Sequence, residues 1–210
     1  MTNYARDERN LLCDLFLEVG PDAPTLCGDW TTRDLAAHLY VRERRPDSAA
    51  GILLAPLREY GEKVRKGVAA RPWEALVADV RSGPPLWNPT RLAPVDRVAN
   101  TVEFFVHHED VRRAVEPWEP RSLDPELDAA LTAALKRMGR LLVRSAPAGL
   151  VFVPPKGERI VAKKGEPIVE VHGEAGELLL FAYGRQAHSR VALEGPDDLI
   201  AATRTARFGV

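Results

Sequence analysis

One predicted helix, residues 94–114, constrains most strongly what this chain can fold into. Glu103 and His107 stand four residues apart, so a helix places their side chains on one face, one turn from each other. Apolar residues flank that face on both sides: Val95, Ala99, Val102 and Val106 on one side, Phe104 and Val111 on the other. The spacing therefore predicts a carboxylate and an imidazole in apolar surroundings, where each needs a partner such as a divalent cation. His108 points about 100° away from His107 and is the weaker candidate.

The best candidate for a third ligand is His38, in a second predicted helix over residues 32–45. Thr31 or Thr32 is a typical N-cap for this helix, and Asp34 puts a negative charge in its first turn, where the helix dipole favours one. His38 then lies one turn further along, on the inward apolar face. The two helices together predict a polar site enclosed between them.

Two imidazoles and one carboxylate make a recognisable ligand set: His38, Glu103 and His107. Such a set leaves coordination positions open for water or substrate. It matches catalytic zinc and equally a non-haem iron triad, and it also accepts nickel and manganese. A simpler interpretation competes with this one: Glu103 and His107 would be a hydrogen-bonded pair on one helix, and His38 a histidine of the core.

The apolar periodicity changes character along the chain. It is helical through the first two thirds, which end with an amphipathic helix over residues 125–143. Shorter apolar runs then predict strands over residues 150–153, 159–162, 168–172 and 189–193. Two short helices, over residues 176–183 and from Pro196, accompany these strands. We therefore predict an α+β protein with a helical domain, residues 1–147, and a small α+β domain, residues 148–210.

Composition argues against several partners. The formal net charge is −1, which provides no electrostatic attraction for nucleic acid or an anionic membrane. No apolar run reaches about 18 residues, and no basic segment followed by an apolar block opens the chain, which predicts a cytoplasmic protein. Cys13 and Cys27 are the only cysteines, too few for a cysteine-type zinc site, and we expect both to be free thiols.

Two motifs carry a resemblance to a known family. The run WTTRDLAAHL, followed by EFFVHHEDVRRA, resembles the metal-binding helical domain of the mycothiol-dependent maleylpyruvate isomerase family. That domain belongs to the DinB-like superfamily of four-helix bundles. The later run VEVHGEAGELLLFAYGR is similar to the small C-terminal domain of the family, which itself resembles a sterol-carrier-protein fold. The resemblance thus covers nearly the whole chain and implies a four-helix bundle before the small α+β domain.

The resemblance also implies roles for particular residues. The metal site of the family falls on the same three residues, His38, Glu103 and His107. Asp110 would orient a ligand or tether the helix. Arg185 resembles an arginine of the C-terminal domain that could face the site and bind a carboxylate, against the simpler interpretation of an ordinary surface arginine.

The implied function is that of a thiol-dependent enzyme on a small-molecule substrate. The thiol would be mycothiol, which suits an actinobacterial source, and 23 arginines against 6 lysines are typical of a GC-rich genome. The enzyme would be an isomerase or an S-transferase. One alternative is a metal hydrolase with Asp110 or Glu109 as base. Another is a non-catalytic protein that binds a metal or a ligand. No substrate motif is recognisable over residues 47–94.

Overall fold

A computed structural model describes residues 3–48, 58–88 and 93–209 of the chain. Its compact units divide between Trp118 and Glu119. The helices of the first unit with described bounds are α1 (Tyr4–Val19), α2 (Thr32–Arg44), α3 (Arg58–Ala69), α4 (Trp73–Arg81) and α5 (Ala93–Arg112). The side chains of Val95 and Ala99, two members of the predicted apolar stripe, lie outside the described part of the chain.

Helix α2 begins as the sequence predicts. The Thr31 hydroxyl accepts a hydrogen bond from the backbone N–H of Asp34, and the Asp34 carboxylate accepts one from the backbone N–H of Thr31, which completes a capping box. Arg65 of α3 donates to the other oxygen of Asp34 at 2.5 Å. The start of α2 is thereby fixed, and with it the position of His38 two turns into the helix.

The core of the first unit lies between α1, α2, α4 and α5. Helix α1 packs against α5, and α4 packs against both α1 and α2. The fully buried side chains in this core include Leu12, Phe16, Leu35, Leu39, Leu76 and Phe104. A buried ion pair between Arg9 and Glu43 lies beside them, with the Arg9 guanidinium 4.1 Å from the centre of the Phe104 ring. This core holds α2 and α5 in register.

The second unit is a four-stranded sheet with helices. Its elements are α6 (Pro125–Leu142), β1 (Gly149–Val153), β2 (Ile160–Lys163), β3 (Ile168–His172), α7 (Ala175–Ala182), a 3₁₀ turn (Gln186–His188), β4 (Ala192–Glu194) and α8 (Asp197–Thr205). The strand order is β2-β1-β3-β4, and β1 and β3 are parallel whereas the outer pairs are antiparallel. A β-carbon at Gly149 would come within 2.2 Å of the Gly165 carbonyl, so only glycine fits this strand start.

The α+β fold class is confirmed, and two boundaries differ from the prediction. Helix α6 packs against α7 and β2. Its Gly139 comes so near the sheet that a β-carbon there would lie 3.6 Å from Cβ of Ala162. The compact units therefore divide near residue 118 and not near residue 147, because the apolar face of α6 is covered by the sheet. The last strand is also shorter than predicted, since it covers only Ala192–Glu194 and residues 189–191 before it are irregular.

No helix within the described ranges combines the length and the apolar character needed to cross a membrane.

Candidate metal centre

The three predicted ligands converge in the structure. His38 lies on α2, and Glu103 and His107 lie one turn apart on α5. Nε2 of His38 and Nε2 of His107 both point at one carboxylate oxygen, Oε1 of Glu103, at 3.5 Å and 3.4 Å. One ligand atom from each residue can be chosen so that all three lie within 4.8 Å of one another. We call these three residues the helical trio.

The separations between these atoms suit a metal ion better than direct hydrogen bonds. Good N–H···O hydrogen bonds measure about 2.7–3.2 Å, and both Nε2–Oε1 distances of the helical trio are longer. Two ligand atoms that each lie about 2.1 Å from a tetrahedral zinc ion are roughly 3.4 Å apart. The donor set therefore fits a divalent cation in both chemistry and spacing.

Asp110 fixes the orientation of the His107 ring. Its Oδ2 lies 3.0 Å from Nδ1 of His107, and the Asp110 side chain is fully buried. A carboxylate can only accept here, so Nδ1 carries the proton and donates it to Asp110. Nε2, on the opposite side of the ring, is then the nitrogen that faces the other two ligands. A carboxylate that orients a histidine in this way is a regular feature of metal sites.

Cys27 joins the same carboxylate from the loop that precedes α2. Its thiol donates to Oδ2 of Asp110 at 3.1 Å and lies 3.8 Å from Nδ1 of His107. The Cys27–Asp110 and His107–Asp110 distances are ordinary hydrogen-bond distances, so this group is a hydrogen-bonded cluster that supports the helical trio. Both cysteines are free thiols, as the sequence predicts.

An aromatic contact holds the third ligand. The indole of Trp30 lies against the imidazole of His38, with ring centres 5.3 Å apart. The guanidinium of Arg65, which lies on α3, is 4.8 Å from the centre of the Trp30 ring. Trp30 therefore limits the directions in which the His38 ring can turn. In the sequence, an aromatic residue directly before the N-cap residue Thr31 is the feature that could have pointed to this contact.

The pKa shifts at the helical trio follow from burial and from charge. Burial lowers the pKa of His38. Burial also acts to lower the pKa of His107, but Asp110, Cys27 and Glu103 together hold that pKa well above its usual value. For Glu103, burial would raise the pKa, yet the neighbouring rings of His107 and His38 hold it well below its usual range. Near neutral pH, the trio therefore presents a carboxylate, a neutral His38 and a protonated His107.

Two further polar residues border the helical trio. Arg42, one turn after His38 on α2, places Nε 3.3 Å from Oε1 of Glu103. Its Nη1 donates to Oδ1 of Asn100 at 2.6 Å. Neither residue stands out from the sequence pattern, although each falls at helical spacing from a predicted ligand. Their side chains meet because the tertiary fold brings these faces of α2 and α5 within side-chain reach of each other.

Other candidates lie elsewhere. His108 points to α1, where its Nδ1 lies 3.0 Å from Oε2 of Glu8. Glu109 is paired with Arg112 at 2.9 Å and with Arg113 at 2.6 Å, so it is not an open base. Arg185 belongs to the second unit, where it donates to the carbonyl of Tyr183 at 2.6 Å. The proposed carboxylate-binding role of Arg185 stays a prediction.

The sheet of the second unit carries a second group of possible ligands. Nε2 of His172 lies 3.4 Å from Glu170 and 3.7 Å from Glu194. Glu170 and His172 share one face of β3, and Glu194 lies opposite Glu170 on β4. Arg159 already pairs with Glu170, and the Glu194 side chain is 72% exposed. We call these three residues the sheet cluster.

Comparison with solved structures identifies the fold. Two crystal structures of the mycothiol-dependent maleylpyruvate isomerase are similar to this chain, one of them a mutant with a single histidine replaced by alanine. The mutant has a TM-score of 0.61 and the other structure 0.59, each with 17% sequence identity and 92% of both chains covered. No protein-family model matches the sequence, and no curated protein matches it. The predicted resemblance is thus confirmed at the level of the fold.

Proposed function

We propose that this chain is a metal-dependent enzyme that uses a low-molecular-weight thiol to act on a small molecule, as an isomerase or an S-transferase. The observation that carries the proposal is the convergence of His38, Glu103 and His107, with Asp110 orienting one of the rings. Zinc suits two imidazoles and a carboxylate with open positions; nickel, iron and manganese share these ligands.

The residues of the chain have definite tasks in this proposal. Glu103 contributes a negative charge, because its pKa is held well below the usual range. His38, whose pKa burial lowers, offers a neutral nitrogen at neutral pH. Asp110 keeps the proton of His107 on Nδ1 and leaves Nε2 directed at Glu103. When bound, the cation supplies Lewis acidity that lowers the pKa of a coordinating thiol.

Two observations favour a thiol over water as the activated group. The fold is that of an enzyme named for its dependence on mycothiol. In addition, neither candidate base of a hydrolase is open. Asp110 is fully buried and accepts hydrogen bonds from His107 and Cys27, and Glu109 is paired with two arginines. The three ligand side chains keep 13% to 25% of their surface exposed, so a small thiol can reach them.

Elemental analysis of the full chain, purified without a histidine tag, tests the metal. We expect about one divalent cation per chain, lost in a double variant with His38→Ala and His107→Ala. His172→Ala is the matched control, since it removes a histidine beside two carboxylates in the other unit. A parent protein without stoichiometric metal, or a double variant that keeps its metal, would contradict the proposal.

A second experiment tests the thiol. Mycothiol is titrated into the cobalt-loaded protein, and a sulfur-to-cobalt charge-transfer band is expected in the near ultraviolet. Maleylpyruvate, the substrate named for the structural neighbour, is then the first compound to assay for isomerisation with and without mycothiol. Turnover that needs no thiol would favour a hydrolase. Metal binding without turnover across thiol-dependent and hydrolytic substrates would favour a binding protein.

A further inference from the structure

Three basic groups approach a single oxygen atom, Oε1 of Glu103. Two of them are the Nε2 atoms of His38 and His107, at 3.5 Å and 3.4 Å. The third is Nε of Arg42, at 3.3 Å. A guanidinium stays charged across the pH range in which proteins fold, so Arg42 cannot become neutral as an imidazole does. A permanent positive charge therefore lies beside the atom that the metal proposal assigns to a cation.

Both helices hold Arg42 in this place. It follows His38 by four residues on α2, which puts the two side chains on one face. Its Nη1 donates at 2.6 Å to Asn100, a fully buried residue that precedes Glu103 by one turn on α5. The Arg42 side chain is 24% exposed. Its charge is thus fixed beside the helical trio and is not carried on a side chain extended into solvent.

The charge of Arg42 changes the balance of the centre. The carboxylate of Glu103 and the guanidinium cancel, and the buried carboxylate of Asp110 offsets one further charge, so a divalent cation held by neutral imidazoles would leave a local charge of about +1. Without Arg42, the same cation would leave a local charge of about zero. Repulsion between the guanidinium and the cation weakens cation binding. The same excess of positive charge attracts an anion to an open coordination position.

We propose that Arg42 is a specificity-determining residue of the metal centre. It lowers the affinity of the helical trio for a divalent cation, and it raises the affinity of the loaded centre for an anionic ligand. The inference rests on the proposed metal site and adds a residue whose charge opposes the ion while Asn100 keeps it in position. A neutral side chain at position 42 would give a tighter cation site with weaker anion binding.

Two substitutions separate the charge of Arg42 from its hydrogen bond. Arg42→Gln removes the charge but keeps an amide that can donate to Asn100, whereas Arg42→Lys keeps the charge. Zinc affinity is measured by competition with a chromophoric chelator. We expect Arg42→Gln to bind zinc about tenfold more tightly than the parent protein and Arg42→Lys to stay within about threefold. Azide titrated into the cobalt-loaded proteins, followed by visible absorption, should bind about tenfold more weakly to Arg42→Gln alone.

The outcomes distinguish this inference from the proposal beneath it. Circular dichroism melting checks that each variant folds, and Arg42→Met serves as a second neutral variant if Arg42→Gln does not. Zinc affinity that is unchanged or lower in the neutral variant would overturn the inference and leave the metal centre standing, since Arg42 would then act by holding Glu103. Equal azide affinity in all variants would overturn the anion part. A parent protein that binds no zinc would overturn both proposals.

Discussion

The helical trio and the sheet cluster have similar spacing and different surroundings. In both, a histidine Nε2 lies about 3.4 to 3.7 Å from carboxylate oxygens. The trio, however, draws two imidazoles from two helices, and Asp110 orients one of them from a fully buried position. In the sheet cluster, Nδ1 of His172 makes no hydrogen bond within the described residues, and Arg159 neutralises Glu170. The distance between a histidine nitrogen and a carboxylate oxygen therefore does not by itself distinguish a candidate metal site. Burial and a hydrogen bond that orients the histidine ring distinguish the two clusters.

The largest expected effect removes the two imidazoles. A double variant with His38→Ala and His107→Ala leaves one carboxylate, so we expect zinc affinity to fall by at least about a thousandfold. His172→Ala should leave zinc affinity unchanged, because the sheet cluster already has an arginine as counter-charge. Chelator competition measures both. Equal losses in the two proteins would show that the sheet cluster contributes as much to zinc binding as the helical trio.

The next effect concerns Asp110 alone. Asp110→Asn keeps the size of the side chain but removes the negative charge that holds the proton on Nδ1 of His107. We expect zinc affinity to fall about 10- to 100-fold, the usual range for groups that orient a metal ligand. Glu170→Gln is the matched control on the sheet and should change zinc affinity by less than about twofold. An Asp110→Asn protein with parental affinity would mean that His107 is oriented by other contacts.

A third effect is a pH dependence that belongs to the helical trio. The pKa of His107 is held well above its usual value, so the ring is protonated at neutral pH and a cation must displace that proton. His38 has a lowered pKa and has no proton to lose. We expect about one proton released per cation and an affinity that falls about tenfold per pH unit below the pKa of His107.

Calorimetry in two buffers of different ionisation enthalpy measures the released proton. The expected sign is a cation affinity that rises with pH and then levels off once His107 is deprotonated. No proton release at neutral pH would indicate that the His107 ring is already neutral, with its one proton on Nδ1, and would contradict the raised pKa of His107.

The smallest effect tests the sheet cluster by its stability. Arg159→Ala breaks the ion pair with Glu170. The Arg159 side chain of this pair is 56% exposed. Because exposed ion pairs contribute little, we expect the free energy of unfolding to change by less than about 1 kcal/mol. Chemical denaturation measures this change. A much larger loss would show that the pair supports the sheet, and that the cluster is more than a surface feature.

Much of this contrast was predictable from the sequence. Helical spacing placed Glu103 and His107 on one face, and the capping signal at Thr31 and Asp34 fixed the start of α2. These are local rules, since each depends on residues within a turn or two. They were sufficient to select all three candidate ligands, whose side chains the structure brings together.

The remaining features depend on packing between distant segments. The pairing of Arg42 with Asn100 requires the register of α2 against α5, which no local pattern contains. Helix α6 shows a clear apolar face in the sequence, but amphipathicity does not say which partner covers it. In the structure, that face meets α7 and β2. The contact of Cys27 with Asp110 is equally hidden from the sequence, because a loop has no regular spacing that sets the direction of its side chains.

The distribution of the ligands along the chain has a mechanical consequence. Two candidate ligands, Glu103 and His107, share helix α5, while the third, His38, lies 65 residues before Glu103 on α2. A cation bound by all three residues would cross-link the chain and close the segment between α2 and α5 into a loop. Cross-links that close long loops lower the conformational entropy of the unfolded chain. Release of the cation would weaken the connection between α2 and α5. A shift of one helix along the other by one residue, about 1.5 Å, would already misalign the three ligand side chains.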